Sequence, residues 1–241
     1  TLNNTGQSLI YSQGLLNIGR RLDADYRATG SADLFNNMGS TLESQGDMTL
    51  NVREINNINT NLVTEIVEIS RQQFHEGVLK GQTQRFDWKD IDTSRKNKYG
   101  VHTAVMPDGT RNDEFYEYNY TRVIQETQVI STEPGVIQSG ADLTINSDTL
   151  LNKDSRVLAG GLLTTTIGDL QNIATKGVHI VTDTGEQIRW YAKKKKRPVG
   201  GTKTSQGKDH SDYTPAPVIT DTDLGVHKWE MNAQTDIQTT D

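Results

Sequence analysis

The chain has 241 residues, a formal net charge of −6 and no cysteine. The acidic balance excludes a general nucleic-acid binder, which needs a basic surface, and the missing thiols exclude disulfides and thiolate metal sites. No run of about 18 apolar residues occurs, so no membrane-spanning helix is expected. A hydrophobic content of 33% is low for a compact globule, and with 21 Gly it suits an elongated fold with a thin core built from short strands and tight turns.

The first phrase along the chain is Asn3-Asn4-Thr5-Gly6-Gln7-Ser8-Leu9, followed by Ser12-Gln13-Gly14-Leu15. It returns as Asn36-Asn37-Met38-Gly39-Ser40-Thr41-Leu42, followed by Ser44-Gln45-Gly46. A third copy spans Ile137 to Ile145 and a fourth Leu150 to Thr164. A weaker fifth begins at Leu170-Gln171-Asn172. Gly140 to Gly160 and Leu143 to Leu163 are each 20 residues apart. A unit this short cannot bury its own apolar face, whereas stacked units can. The period therefore predicts an all-β chain folded as a right-handed parallel β-helix, its coils about 4.8 Å apart, with corner asparagines stacked in hydrogen-bonded ladders. A β-sandwich is the alternative. The repeat positions are Asn4, Gly6, Leu9, Gly14, Asn37, Gly39, Leu42, Gly46, Ile137, Gly140, Leu143, Val157, Gly160 and Leu163.

Residues 2–18, 34–50, 137–145 and 150–170 together resemble the haemagglutinin repeat of two-partner secretion exoproteins, the family of filamentous haemagglutinin adhesins and contact-dependent growth inhibition effectors. Ser131 to Gly140 resembles the phrase at which such proteins re-enter the helix, and Ser211 to Val218 the segment by which some leave it. The resemblance implies a secreted chain displayed on a bacterial surface and an outer-membrane transporter as export partner, engaged through another part of the full protein. The start at Thr1, inside a repeat-like phrase, reads as a piece of something longer.

Residues 1–51 and 136–192 are expected to form the coils. Between them, 52–135 reads as an excursion with two long strands, near 61–70 and 115–131; an amphipathic helix over 62–75 is the alternative. Met106-Pro107-Asp108-Gly109-Thr110 is a turn signal. Trp88, Tyr99, Phe115, Tyr116, Tyr118 and Tyr120 either present rings to a sugar or protein partner or pack on one another across strands. Lys193-Lys194-Lys195-Lys196-Arg197 reads as part of a flexible, solvated loop over 193–217; if it binds, an anionic cell-surface glycan is the expected ligand. Residues 218–241 are expected to return as strand and tail.

No catalytic constellation is visible. The five histidines are scattered, without the spacing of a zinc site. The 108–113 segment lacks the ligand spacing of a calcium loop. β-Helical polysaccharide lyases and hydrolases align carboxylates on one face, and no repeat position here collects Asp or Glu. No catalytic residue, cofactor or metal is assigned. The sequence points to a structural shaft, then to a receptor- or glycan-binding segment, and last to an enzyme.

Overall fold

The computed structural model describes residues 1–224. Their regular structure is nearly all strand, and the one helical element among them is a single 3-10 turn, Trp88–Asp90. The chain divides into two units. The first comprises residues 1–66, 127–177 and the stretch from Asp221; the second comprises Val67–Glu126 and Val178–Thr220.

The first unit begins with β1 (Leu2–Thr5), β2 (Leu9–Ser12) and β3 (Leu16–Ile18). A small antiparallel pair follows, β4 (Arg21–Leu22) with β5 (Ala28–Thr29). Then come β6 (Ala32–Met38), β7 (Thr41–Ser44) and β8 (Met48–Ile58). After the segment that builds the second unit, the chain resumes with β14 (Val136–Ser139), β15 (Leu143–Lys153), β16 (Arg156–Ala159) and β17 (Leu163–Ile173). These strands form two parallel sheets. One runs β1-β6-β8-β15-β17 with β3 also on β8, and the other β16-β14-β7-β2. Partners lie 20 residues apart between β14 and β16 and between β15 and β17. From β8 to β15 the offset is 95, one period plus the intervening segment.

Each long strand bends once. In β8 the buried side is Met48, Leu50 and Val52 before the bend and Ile55 and Asn57 after it, with Arg53 and Glu54 exposed between. In β15 Leu143 and Ile145 lie inward, then Leu150 and Asn152. Like residues stack in register: Leu16, Met48, Leu143 and Leu163 form one column, and Leu2, Phe35, Ile55 and Leu150 another. Phe35, Leu42, Leu50, Val52, Ile55, Ile137 and Leu143 are fully buried in this core.

An asparagine column closes the core. Asn4 Nδ2 donates to Asn37 Oδ1 at 2.8 Å, Asn37 to Asn57 at 2.7 Å, Asn57 to Asn152 at 2.7 Å and Asn152 to Asn172 at 2.7 Å. The amides of the first three also donate to the carbonyls of Thr41, Val136 and Arg156, which start the short strands on the next rung. Asn152 uses its second amide hydrogen on the Ser155 carbonyl at 3.0 Å, so both amide hydrogens of each buried Asn in the column are used, as burial requires. An outer ladder runs the other way, Asn56 donating to Asn36 and Asn36 to Asn3.

The corner after this column needs a left-handed residue. Gly6, Gly39 and Asp154 hold it with φ of +71°, +56° and +49°, a region that suits Gly and that Asp tolerates. At the opposite turn Gly140 and Gly160 are required by contact: a Cβ would meet the Gln45 carbonyl oxygen at 2.5 Å in the first and that of Gly140 at 2.3 Å in the second.

Three expectations are corrected. Leu9 is not a core residue; it is 60% exposed and pairs with Thr41, while Ile10 aligns with Leu42. The first corner holds one residue more than the second, with Gln7 also at positive φ, and a one-residue slip moves a side chain to the other face. The phrase at Leu170 opens no new rung, because Leu170 pairs with Leu150 and completes the repeat begun at Arg156. The stacked strands reach past Leu50 to Ile58 and end at Ile173, so 136–192 is not all of one kind. Leu163 holds its column but is 44% exposed, since β17 is the end strand of its sheet.

The second unit draws on an antiparallel sheet in the order β10-β9-β13-β18-β19, with β20 also paired to β18. Its strands are β9 (Val63–Leu79), β10 (Phe86–Asp87), β13 (Phe115–Ser131), β18 (Lys176–Lys196), β19 (Thr202–Tyr213) and β20 (Val218–Asp223). The segment 63–75 is thus strand, as its β-branched content favours. A hairpin of β11 (Ala104–Val105) and β12 (Arg111–Asn112) turns at Gly109, whose φ is +83°. The expected loop over 193–217 is instead mostly the β18–β19 hairpin, and of the expected return over 218–241 only β20 and Leu224 fall within the described residues.

The ladder sets a graded stability prediction. Asn57→Ala removes the central amide and leaves its buried partners short of a bond, at a cost of about 3–5 kcal/mol. Asn172→Ala, at the exposed end, costs about 1 kcal/mol or less. Urea unfolding followed by far-UV circular dichroism checks both; equal effects would rule out the column as a cooperative core element.

Candidate recognition surface

The aromatic side chains singled out in the sequence all lie in the second unit, where four of the six, Trp88, Phe115, Tyr118 and Tyr120, pack against other rings. Alternation along β13 places Phe115 and Glu117 on one face and Tyr116, Tyr118 and Tyr120 on the other. Phe115, fully buried, stacks on Trp190 with ring centroids 5.4 Å apart and lies 6.3 Å from Trp88. Trp88 stacks in turn on His75 at 5.0 Å. Leu79, Ile91, Ala104 and Met106 complete this second core. Glu117 links its rim, accepting from Trp190 Nε1 at 2.8 Å and bonding His75 Nε2 at 2.9 Å.

On the opposite face Tyr118 and Tyr120 both meet Tyr213 edge-on, at 4.9 and 5.1 Å. The Arg85 guanidinium lies 3.8 Å over the Tyr118 ring and donates to Tyr213 Oη at 3.1 Å. Such a cation between rings is held by their quadrupoles. Tyr120 is 2% exposed and donates to Glu76 at 3.0 Å. Neither Tyr120 nor Phe115 can present a ring to a partner, which corrects that part of the recognition reading. Trp88 and Tyr118 are half-buried under neighbours, Tyr116 is half-buried, and Tyr99 stands 56% exposed.

Ion pairs tie the sheet together. Arg122 grips the buried Asp183 with two bonds of 2.8 Å, across paired positions of β13 and β18. This pairing raises the Arg122 pKa further. Glu114 accepts from Lys80 at 2.7 Å and from Arg189, and these two cations hold its carboxyl below the usual glutamate range.

A polar cleft of about 450 Å³ opens beside the β11–β12 hairpin, lined by Arg95, Lys96, Arg111 and Asp113 among others. Asp113 is already engaged by Asn97 Nδ2 at 2.7 Å and Thr103 Oγ1 at 2.5 Å. Among the described residues no three His, Asp or Glu side chains gather as a metal site. Every buried side-chain nitrogen and oxygen there has a partner.

The five cations of 193–197 are where sequence reasoning missed the structure. Lys193 to Lys196 lie in β18, paired with β19 from Ser205 to Thr202, and Arg197 begins the turn. Lys203 and Lys208 on β19 share this hairpin, and Lys208 Nζ sits 3.5 Å over the Trp190 ring. Gly200-Gly201 was the available signal for a hairpin turn; both glycines have positive φ. Comparison with family models, curated proteins and solved structures gives no match.

Burial, reinforced by the bond to Glu76, pushes the Tyr120 phenol up to about 12. A tyrosine in the unfolded chain titrates near 10. The folded state therefore favours the neutral phenol, and this stabilisation is complete below about pH 10 and is lost as pH rises toward 12. Denaturant unfolding at neutral pH and near pH 11 should show a loss of stability that is smaller in Tyr120→Phe.

Proposed function

We propose that the first unit is a segment of right-handed parallel β-helix, and that the chain serves as a shaft segment of a large secreted exoprotein of the haemagglutinin-repeat kind. In this reading it holds an adhesive or growth-inhibiting part away from a bacterial surface. The observation that carries the reading is the five-member asparagine ladder, running through parallel strands of 20-residue period. A stack of this kind gains length rung by rung, each rung needing only its neighbour, which suits folding during export. The resemblance to the exoprotein family supplies the secretion context and the outer-membrane transporter as partner.

The experiment uses the period. Removal of residues 136–155 takes out one whole repeat, since Gly135 N bonds Ser155 Oγ at the point where the two ends would join. A shaft tolerates this: the chain should stay folded by circular dichroism, and an epitope placed after it in the parent exoprotein should stay accessible on intact cells. Removal of 136–145, half a period, should unfold the stack and abolish display. Loss of display with the whole repeat removed from a chain that remains folded would show that the segment acts as more than a spacer.

A further inference from the structure

We propose that the β18–β19 hairpin is a binding finger for an acidic polysaccharide, a site independent of how the first unit is used. Between Ala192 and Lys208 the chain carries seven basic residues and no acidic one, within a protein of net charge −6. The hairpin pairing fixes where these charges go. Directly opposed residues of an antiparallel pair share a face, and the two faces alternate along each strand. Lys193, Lys195 and Lys203 therefore share one face and Lys194, Lys196 and Lys208 the other, with Lys195 directly opposite Lys203.

A like-charge pair placed directly across two strands is destabilising, and here nothing nearby relieves it. None of Lys193 to Arg197 or Lys203 makes an ion pair among the described residues, and all are exposed. Such a feature becomes favourable when a polyanion neutralises it. Same-face neighbours two residues apart lie about 7 Å from one another along a strand, so the cations form rows that a linear polyanion can follow.

The surrounding side chains select the kind of polyanion. Thr202, Thr204 and Ser205 stand opposite Lys196, Lys194 and Lys193 and supply hydroxyl donors for sulfate, carboxylate and sugar oxygens. No aromatic residue lies between Ala192 and Gly207, so single-stranded nucleic acid lacks a stacking platform. A lipid surface meeting the tip would touch Arg197, Val199 and their neighbours, whereas Lys193 lies some four residues, roughly 14 Å, back along the strand. Val199, 91% exposed, is a single small apolar group, too little to anchor in a bilayer.

The test is binding of the full 241-residue chain to fluorescent dextran sulfate, at low and high salt. Uncharged dextran, a mixed-sequence DNA duplex and phosphatidylserine vesicles form the other arms. Saturable binding to dextran sulfate, absent for dextran and weakened by salt, is expected. Lys203→Glu should weaken it about tenfold while leaving Tm unchanged or higher, because it replaces the opposed like charges with an attractive pair. That combination separates a binding role from a structural one. If Lys203→Glu lowers Tm, Lys203→Gln serves as the second variant, with weaker binding again expected. Binding to the duplex or the vesicles as tight as to dextran sulfate overturns the assignment. So does unchanged binding in both variants, or no binding by a folded chain.

Discussion

A side-chain amide buried in an apolar core is tolerable only when both its hydrogens and its oxygen are engaged. In the first unit this constraint is met by repetition: Asn37 and Asn57 each accept from the rung before and donate to the rung after. Their second hydrogen reaches the carbonyl that opens a short strand. The ladder thus joins the two parallel sheets at the corner where the chain passes from one to the other. It also sets the register, because a rung displaced by one residue would leave several buried amides unpaired at once.

The apolar columns follow from that register. With Asn57 over Asn152, Ile55 falls over Leu150, Leu50 over Ile145 and Met48 over Leu143. Core side chains then meet their like on each neighbouring rung, which allows a thin core and a modest hydrophobic content to suffice. The close approach of successive turns explains the glycines at 140 and 160. The long segment between Ile58 and Val136 enters and leaves at one corner, so the pairing on either side of it is undisturbed.

The second unit is organised by a different interaction. Rings and cations interleave across long antiparallel strands, as in Arg85 over Tyr118 and Arg122 over Phe74. Four of the aromatic groups that invited a recognition reading are held in this packing, while a run of unpaired cations lies on one hairpin. On the β18–β19 hairpin the surface available to an outside partner is therefore polar and cationic.

The recurrence of Gly140 at Gly160 and Leu143 at Leu163 was enough to establish a stacked, parallel, all-β unit, because a fixed short period admits few other ways of burying its apolar face. Asn4 and Asn37 were legible for the same reason. Asn57 and Asn152 were not, since a long segment separates them and no local pattern marks which of many asparagines faces inward. Leu9 was misplaced because one extra corner residue shifts the register, which contiguous alignment of two phrases conceals. Five consecutive cations read locally as a solvated loop, since repulsion and low strand propensity both oppose a strand. Only pairing of β18 with β19 over 12 positions overcomes that repulsion. The sequence alone determined the period and the chemical character of the rungs, as these are properties of neighbouring residues. Tertiary structure decided the register, the burial of the rings and the two-faced charge of the hairpin, because each depends on which distant strand lies alongside.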